Sequence, residues 1–146
     1  MRLCLVLALL APLAARADDT AAGKTAFDTR CVACHGAGGV GTPGLAPALA
    51  GSLKAAIAQP DGPGYVQQVL LQGLSGRIVS QGQTFMGAMP SQAAVDDAEL
   101  AAIANYLARD LNGAAANAFS ADGFRAARDS KPSHKALRDL RARLLP

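Results

Sequence analysis

Cys31-Val32-Ala33-Cys34-His35 is the stretch of this chain whose residue types and spacing could carry chemistry. Two thiols three positions apart at the end of a helix can each add to one of the two vinyl groups of a haem. The residue that follows then places an imidazole beneath the iron as an axial ligand. Chain order and haem geometry together demand this spacing. Two competing uses are weaker. A redox-active Cys-x-x-Cys belongs beside a βαβ pattern, which the sequence lacks. A structural zinc site needs a second pair of ligands, but the only other His is His134, and Cys4 lies in a segment expected to be removed.

What fills the sixth iron position decides the use of such a group. Imidazole opposite a thioether gives a six-coordinate site of raised potential that passes electrons with little rearrangement. The candidates are Met86, Met89 and His134. Both methionines fall in Phe85-Met86-Gly87-Ala88-Met89-Pro90, read as a loop. There Pro90 stiffens the chain beside Met89, and Gly87 permits close approach to a flat group. This favours Met89 over Met86. His134 sits in a polar stretch and is expected to be solvated.

The elements that must position these groups are mostly helical. Thr20 to Arg30 reads as a helix capped by Thr20, with Ala22, Ala26 and Phe27 on one face. Gly36 to Gly44 must be loop. Its glycines superficially resemble a phosphate cradle, but no strand precedes them and no Lys-Ser/Thr follows, so they are expected to wrap the haem. A short helical piece around 52–58, a break at Pro60–Gly64 and a helix over Tyr65–Gln72 come next. Tyr65 fits a haem edge, a core position or the surface equally well. Arg77 to Phe85 predicts a two-stranded ribbon about a Gly-containing turn. Asp96 and Glu99 then form a capping-box-like pair opening a helix with Leu100, Ile103, Leu107 and Leu111 on one stripe, and Gly113 stands where it would stop. Beyond a small-residue linker, Lys131 to Arg143 predicts a basic helix with Leu137, Leu140 and Leu144 on one side.

Composition bounds these readings. The chain of 146 residues is 51% hydrophobic but only 4% aromatic, and much of the apolar content is Ala, so its side chains alone would make a poor core. A large apolar cofactor would fill it. Arg2, the apolar run Leu3–Ala14 and Ala15-Arg16-Ala17 make residues 1–17 a secretory signal peptide, too short for a comfortable membrane span. The organisation expected is therefore a signal peptide at 1–17, a haem domain at 18–112 and a basic tail at 113–146. Residues 18–112 hold five Lys/Arg against eight Asp/Glu, and residues 113–146 hold seven against three. The overall charge of +3 thus hides a mildly acidic body, and nucleic-acid binding is not implied. The tail reads either as a solvated helix laid against the domain or partly disordered, or as a docking arm for an acidic partner.

With these residues in view the chain resembles the class I cytochrome c family over about residues 20–112. Gly23 and Phe27 precede Cys31 by eight and four positions, as in that family's first helix, and Ile103 and Tyr106 resemble the partner positions on its last. The resemblance implies an all-α fold of three to five helices around one covalent haem c, with a minor β-ribbon before the Met segment. It implies that the Pro47 carbonyl, in Ala46-Pro47-Ala48-Leu49, accepts a hydrogen bond from the axial His35, and that Leu49 packs on the haem. The ribbon leading to Met89-Pro90 is similar to the cytochrome domains that accompany periplasmic dehydrogenases, oxidases and nitrite reductases, in which the Met before the Pro is the ligand. The implied function is periplasmic single-electron transfer between a donor dehydrogenase and an acceptor oxidase or carrier, as a separate protein or as the non-catalytic cytochrome subunit of a redox enzyme complex, with no enzyme activity of its own and no stable membrane span after processing. The alternative is a haem protein with an open or labile sixth site, used in small-ligand binding or peroxidase-type chemistry.

Overall fold

The computed structural model describes residues 13–115 and 117–145. Most of the segment expected to be removed, residues 1–12, therefore lies outside the described residues. Seven α-helices and one hairpin occur among the described residues. Five helices lie within 18–112 or begin just before it: α1 (Leu13–Arg30), α2 (Val32–His35), α3 (Lys54–Ile57), α4 (Gly62–Gln72) and α5 (Asp97–Arg109). The tail adds α6 (Ala121–Ala127) and α7 (His134–Leu144). The all-α class with a minor ribbon is as the resemblance implied.

Several boundaries differ from the sequence reading: α5 ends at Arg109, before Leu111, and α7 begins at His134 rather than Lys131. α1 begins at Leu13 rather than being capped by Thr20. α4 begins inside the Pro60–Gly64 break, because a proline in the first helical turn has no amide hydrogen bond to lose and its φ already suits the helix. The ribbon is longer at both ends, with β1 (Leu74–Ser80) paired antiparallel to β2 (Gln83–Met89). Gln81 and Gly82 join them, both at positive φ (49° and 75°), the two-residue turn whose twist matches a hairpin.

α1 and α5 cross at Gly23. A Cβ there would lie 2.3 Å from the Ala102 carbonyl oxygen, so only glycine allows the two backbones to meet. One turn on, Phe27 and Tyr106 pack with ring centroids 5.4 Å apart beside Ile103. Arg30, at the end of α1, pairs with Glu99 at 2.7 Å and ties the crossing from below. The Asp96 side chain caps α5 by accepting from the Glu99 amide at 2.8 Å, as the capping-box pattern predicts.

Two apolar clusters result. The smaller holds Ala26, Phe27, Ile103, Tyr106 and Leu107, with Cys31, Val32, Leu49 and Leu111 against it. The larger joins α4, the other side of α5, and the tail through Phe119, Phe124, Leu137 and Leu144, with Met89 and Ile78 against it. The tail is therefore laid against the domain, as one of its readings had it, but with more of its apolar surface buried than a solvated helix implies. Asn105 is buried in α5; its amide donates to the Phe119 carbonyl at 2.9 Å, and its carbonyl oxygen accepts from the Ala118 and Phe119 amides. Arg128 pairs with Asp97 at 2.7 Å and donates to the Ala93 and Val95 carbonyls.

Candidate functional site

Between the two clusters runs an apolar cleft with about 1230 Å³ of unfilled space, its open mouth included. One wall begins where α1 ends. The Cys31 amide still donates to the Phe27 carbonyl, and the single turn α2 carries the chain on to Cys34 and His35. Gly36, at φ 73°, stops that turn and sends the chain into the glycine loop. Cys31 is half-buried, and burial pushes its thiol up to about 11, whereas Cys34 is exposed at the cleft mouth.

His35 is only 8% exposed, and its Nδ1 lies 2.9 Å from the Pro47 carbonyl oxygen. That carbonyl can only accept, so Nδ1 carries the proton and Nε2 keeps its lone pair free. Burial also holds the imidazole below its ordinary pKa, against the opposing pull of the Pro47 bond. A neutral ring with a fixed tautomer is the form that binds a metal.

The loop that presents Pro47 is held from behind by Asn112, a residue the sequence reading does not single out. Its amide donates to the Leu49 and Leu107 carbonyls at 2.9 and 2.8 Å, and its oxygen accepts from the Leu53 amide at 2.9 Å. Asn112→Ala would leave three buried backbone groups without partners. A loss of about 3 kcal/mol in denaturant unfolding is expected, and Asn112→Asp, which would set a buried carboxylate oxygen against the Leu49 and Leu107 carbonyls, should lose at least as much.

The opposite wall is the ribbon. Its alternation turns Leu74, Gly76 and Ile78 of β1 and Phe85, Gly87 and Met89 of β2 toward the cleft, the six forming directly opposed pairs. At the middle pair, Gly76 opposite Gly87, neither strand contributes a side chain, and the Arg138 guanidinium lies over Gly76. Met86 falls on the other face and is 73% exposed. The methionine segment is thus strand, not loop, and it is strand alternation rather than loop stiffness that separates the two methionines. Met89 is held at its end of the ribbon by α4: Ser91 Oγ donates to the Leu71 carbonyl, the Gln92 amide donates to the Leu70 carbonyl at 2.9 Å, and Gly73 passes so close that a Cβ would lie 2.4 Å from the Met89 oxygen.

The structure brings Cys31, Cys34, His35, Pro47, Leu49 and Met89 to one cleft and leaves Met86 and His134 outside its lining. His134 is half-buried and not solvated as expected, its Nδ1 hydrogen-bonded to Ser75 Oγ. Tyr65, left open by sequence, is 3% exposed and lines the cleft beside Val66, Val69 and Leu70. Arg141, from the tail, also reaches this wall.

These residues fit a haem. The space is largely apolar, two glycines pair on its ribbon side, and two thiols, an oriented imidazole and a thioether line it. Comparison with known proteins agrees. The family model for Cytochrome c matches residues 20–109. The chain is 40% identical over 79 residues to cytochrome c-552 of Thermus thermophilus, covering 54% of this chain and 60% of that protein. It has the same identity over the same length to a second cytochrome c-552, from a particular strain of Thermus thermophilus, covering 53% of it. The match thus spans only a little over half the length of these relatives. The chain belongs to the cytochrome c family, as a class I monohaem member whose cofactor is one covalently bound haem c.

Proposed function

We propose that this protein carries single electrons between a donor dehydrogenase and an acceptor oxidase or carrier protein, on a haem c ligated by His35 and Met89 and joined to Cys31 and Cys34. When bound, the haem supplies a one-electron couple; the chain decides how readily it turns over. The observation that carries the reading is the pair of walls: His35 and Met89 line one cleft, on elements that neither has freedom to leave. His35 is fixed by Pro47 and Met89 by the ribbon and the end of α4. Ligands held this firmly move little when the charge on the metal changes, which lowers the cost of electron transfer. Leu49, Leu53 and Leu70 keep water from the buried part of the cleft, and a dry shell around the iron helps set the potential. Cys34 and Leu45, both exposed and both lining the cleft, are where an electron would enter and leave.

The location belongs to the same proposal. Arg2, the run Leu3–Ala14 and Ala15-Arg16-Ala17 support export to the periplasm with cleavage after Ala17, which would leave Asp18–Arg30 of α1 in place. No helix among the described residues is long and apolar enough to cross a membrane.

A visible spectrum of the exported protein, oxidised and reduced, with and without carbon monoxide, tests the reading. A covalent haem c spectrum that carbon monoxide leaves in place is expected. A reduced spectrum that shifts readily with carbon monoxide means a free sixth position, and small-ligand or peroxidase-type chemistry then replaces electron carriage.

A further inference from the structure

The large apolar side chains exposed among the described residues are Val40, Leu45, Val79 and Met86, and all of them lie about one strand. Met86 belongs to β2, and Val79 stands opposite Thr84 of the same strand. The Leu45 carbonyl oxygen is 3.4 Å from where a Cβ of Gly87 would be, and Val40 lines a small hollow with Gln83 and Phe85. Exposed apolar residues scattered singly need no explanation, but a group gathered on one element marks a surface that meets another molecule.

The strand is also open along one edge. The two-residue turn at Gln81-Gly82 makes Ser80 and Gln83 a hydrogen-bonded pair, and the pairs Ile78–Phe85, Gly76–Gly87 and Leu74–Met89 repeat it. The backbone groups of the residues between them point away from the ribbon. On the β1 side α7 takes them up: Arg138 donates to the Ser75 carbonyl, and Arg141 reaches the Val79 carbonyl. On the β2 side the outward N–H and C=O groups of Thr84, Met86 and Ala88 bond to nothing among the described residues. Proteins usually guard such an edge with a charge, a proline or a bulge. Gln83–Met89 contains no charged residue and no proline, and its one-to-one register leaves no bulge.

The outward groups at Thr84, Met86 and Ala88 are symmetric about Met86, so this edge is complementary to itself. Antiparallel pairing about a two-fold axis at Met86 sets Met86 opposite Met86 of a second copy, and Thr84 opposite its Ala88. Every outward group then finds a partner, and no like charges meet across the seam. We propose that two copies of this chain associate through the free edges of β2, joining their ribbons into one antiparallel sheet. Directly opposed residues share a face, so the two Met86 side chains meet on the outer face and both clefts open on the other. Leu45 of each copy flanks the seam on the cleft side. A seam of one strand and a few apolar side chains is small beside the roughly 800 Å² per partner of a stable complex, so the dimer is weak and reversible. The association stands on the edge and its apolar surround, and does not depend on what the cleft carries.

Sedimentation equilibrium of the purified holoprotein tests this. Between roughly 10 μM and 1 mM, the average mass is expected to climb from that of the monomer toward twice it. Met86→Lys places like charges on the axis and should hold the protein monomeric throughout. Thr84→Pro removes an outward N–H but no bond between β1 and β2, and should weaken the dimer about tenfold or more. Met86→Leu keeps the apolar side chain and should dimerise as the unaltered protein does. All three positions of change are exposed, so far-ultraviolet circular dichroism should match that of the unaltered protein and show each variant to be folded. An unaltered protein that stays monomeric at every concentration overturns the proposal, even if the edge accepts a strand from some other protein. So does a dimer that neither Met86→Lys nor Thr84→Pro weakens. The haem c spectrum, recorded on the same samples, keeps either failure distinct from a failure of the haem assignment.

Discussion

Met89→Leu is expected to open the iron to carbon monoxide and to lower the midpoint potential by a few tenths of a volt, out of the roughly 0.8 V that axial ligation spans. Leucine keeps the volume and apolar character of methionine, so the packing of β2 against Leu74 and the larger cluster should survive at a cost below about 1.5 kcal/mol. Only the thioether sulfur is lost. Met89→Ala should give the same spectrum with an added loss of about 2–5 kcal/mol for the cavity it leaves. Met86→Leu is the discriminating control: on the exposed face of β2, it should change neither carbon monoxide binding nor potential. Optical titration of the three holoproteins checks all of this. A Met89→Leu protein that still excludes carbon monoxide at an unchanged potential would remove Met89 as the ligand.

Deleting residues 118–146 is expected to abolish the cooperative thermal transition near the temperature of the intact protein, not merely to slow a partner. Phe119, Phe124, Leu137 and Leu144 are 6%, 0%, 2% and 3% exposed. Truncating even one buried Phe or Leu to Ala costs about 2–5 kcal/mol, so losing four removes on the order of 10 kcal/mol. A domain of this size has only about 5–15 kcal/mol in total. The loss also bares Tyr65, Val66 and Leu70 on α4, which the tail helps to cover. Circular dichroism melts of intact and truncated holoprotein make the comparison. A truncated protein melting at an unchanged temperature would show the tail to be a separable arm, and its effect on the rate and salt dependence of reduction by a redox partner would then become the informative measurement. The structure argues against that arm on charge as well. Of the seven tail cations, Arg125, Arg128 and Lys135 are in ion pairs, Arg138 is bonded to the ribbon, and Arg141 is buried.

The parts of the molecule that announced themselves in sequence are those governed by near neighbours. The attachment motif is five consecutive residues. The cap of α5 is a pair three positions apart, Asp96 and Glu99, and the hairpin turn needs only Gln81-Gly82. The crossing of α1 on α5 was legible through Gly23 and Phe27 only because those positions resemble a known family. What stayed hidden depended on contacts between distant segments. Asn112 reads as a helix-end residue until the loop carrying Leu49 folds over it. That the tail lies against the domain was among its readings, but how deeply it is buried was not, although two local signals were present. Phe119-Ser120 followed by Phe124 is the pattern in which residues flanking an N-cap staple a helix start, and the two rings indeed lie 6.3 Å apart with Ser120 capping α6. Arg141 falls on the Leu137–Leu144 stripe, where a charged residue is the exception that asks for a partner. Periodicity could have flagged it; nothing local could have named what it faces.

Pairing α1 with a helix far along the chain, 69 positions separating Arg30 from Glu99, also sets an order of events on the proposed export. A chain that crosses N-terminus first presents Cys31–His35 on the far side before α5 arrives. Through that interval α1 has no surface to lie on, and the two thiols remain on open chain within reach of whatever joins them to the cofactor. Were the partner helix upstream of the motif, the cysteines would be drawn against a waiting surface as they emerged, with Cys31 turning half-buried before its bond was made.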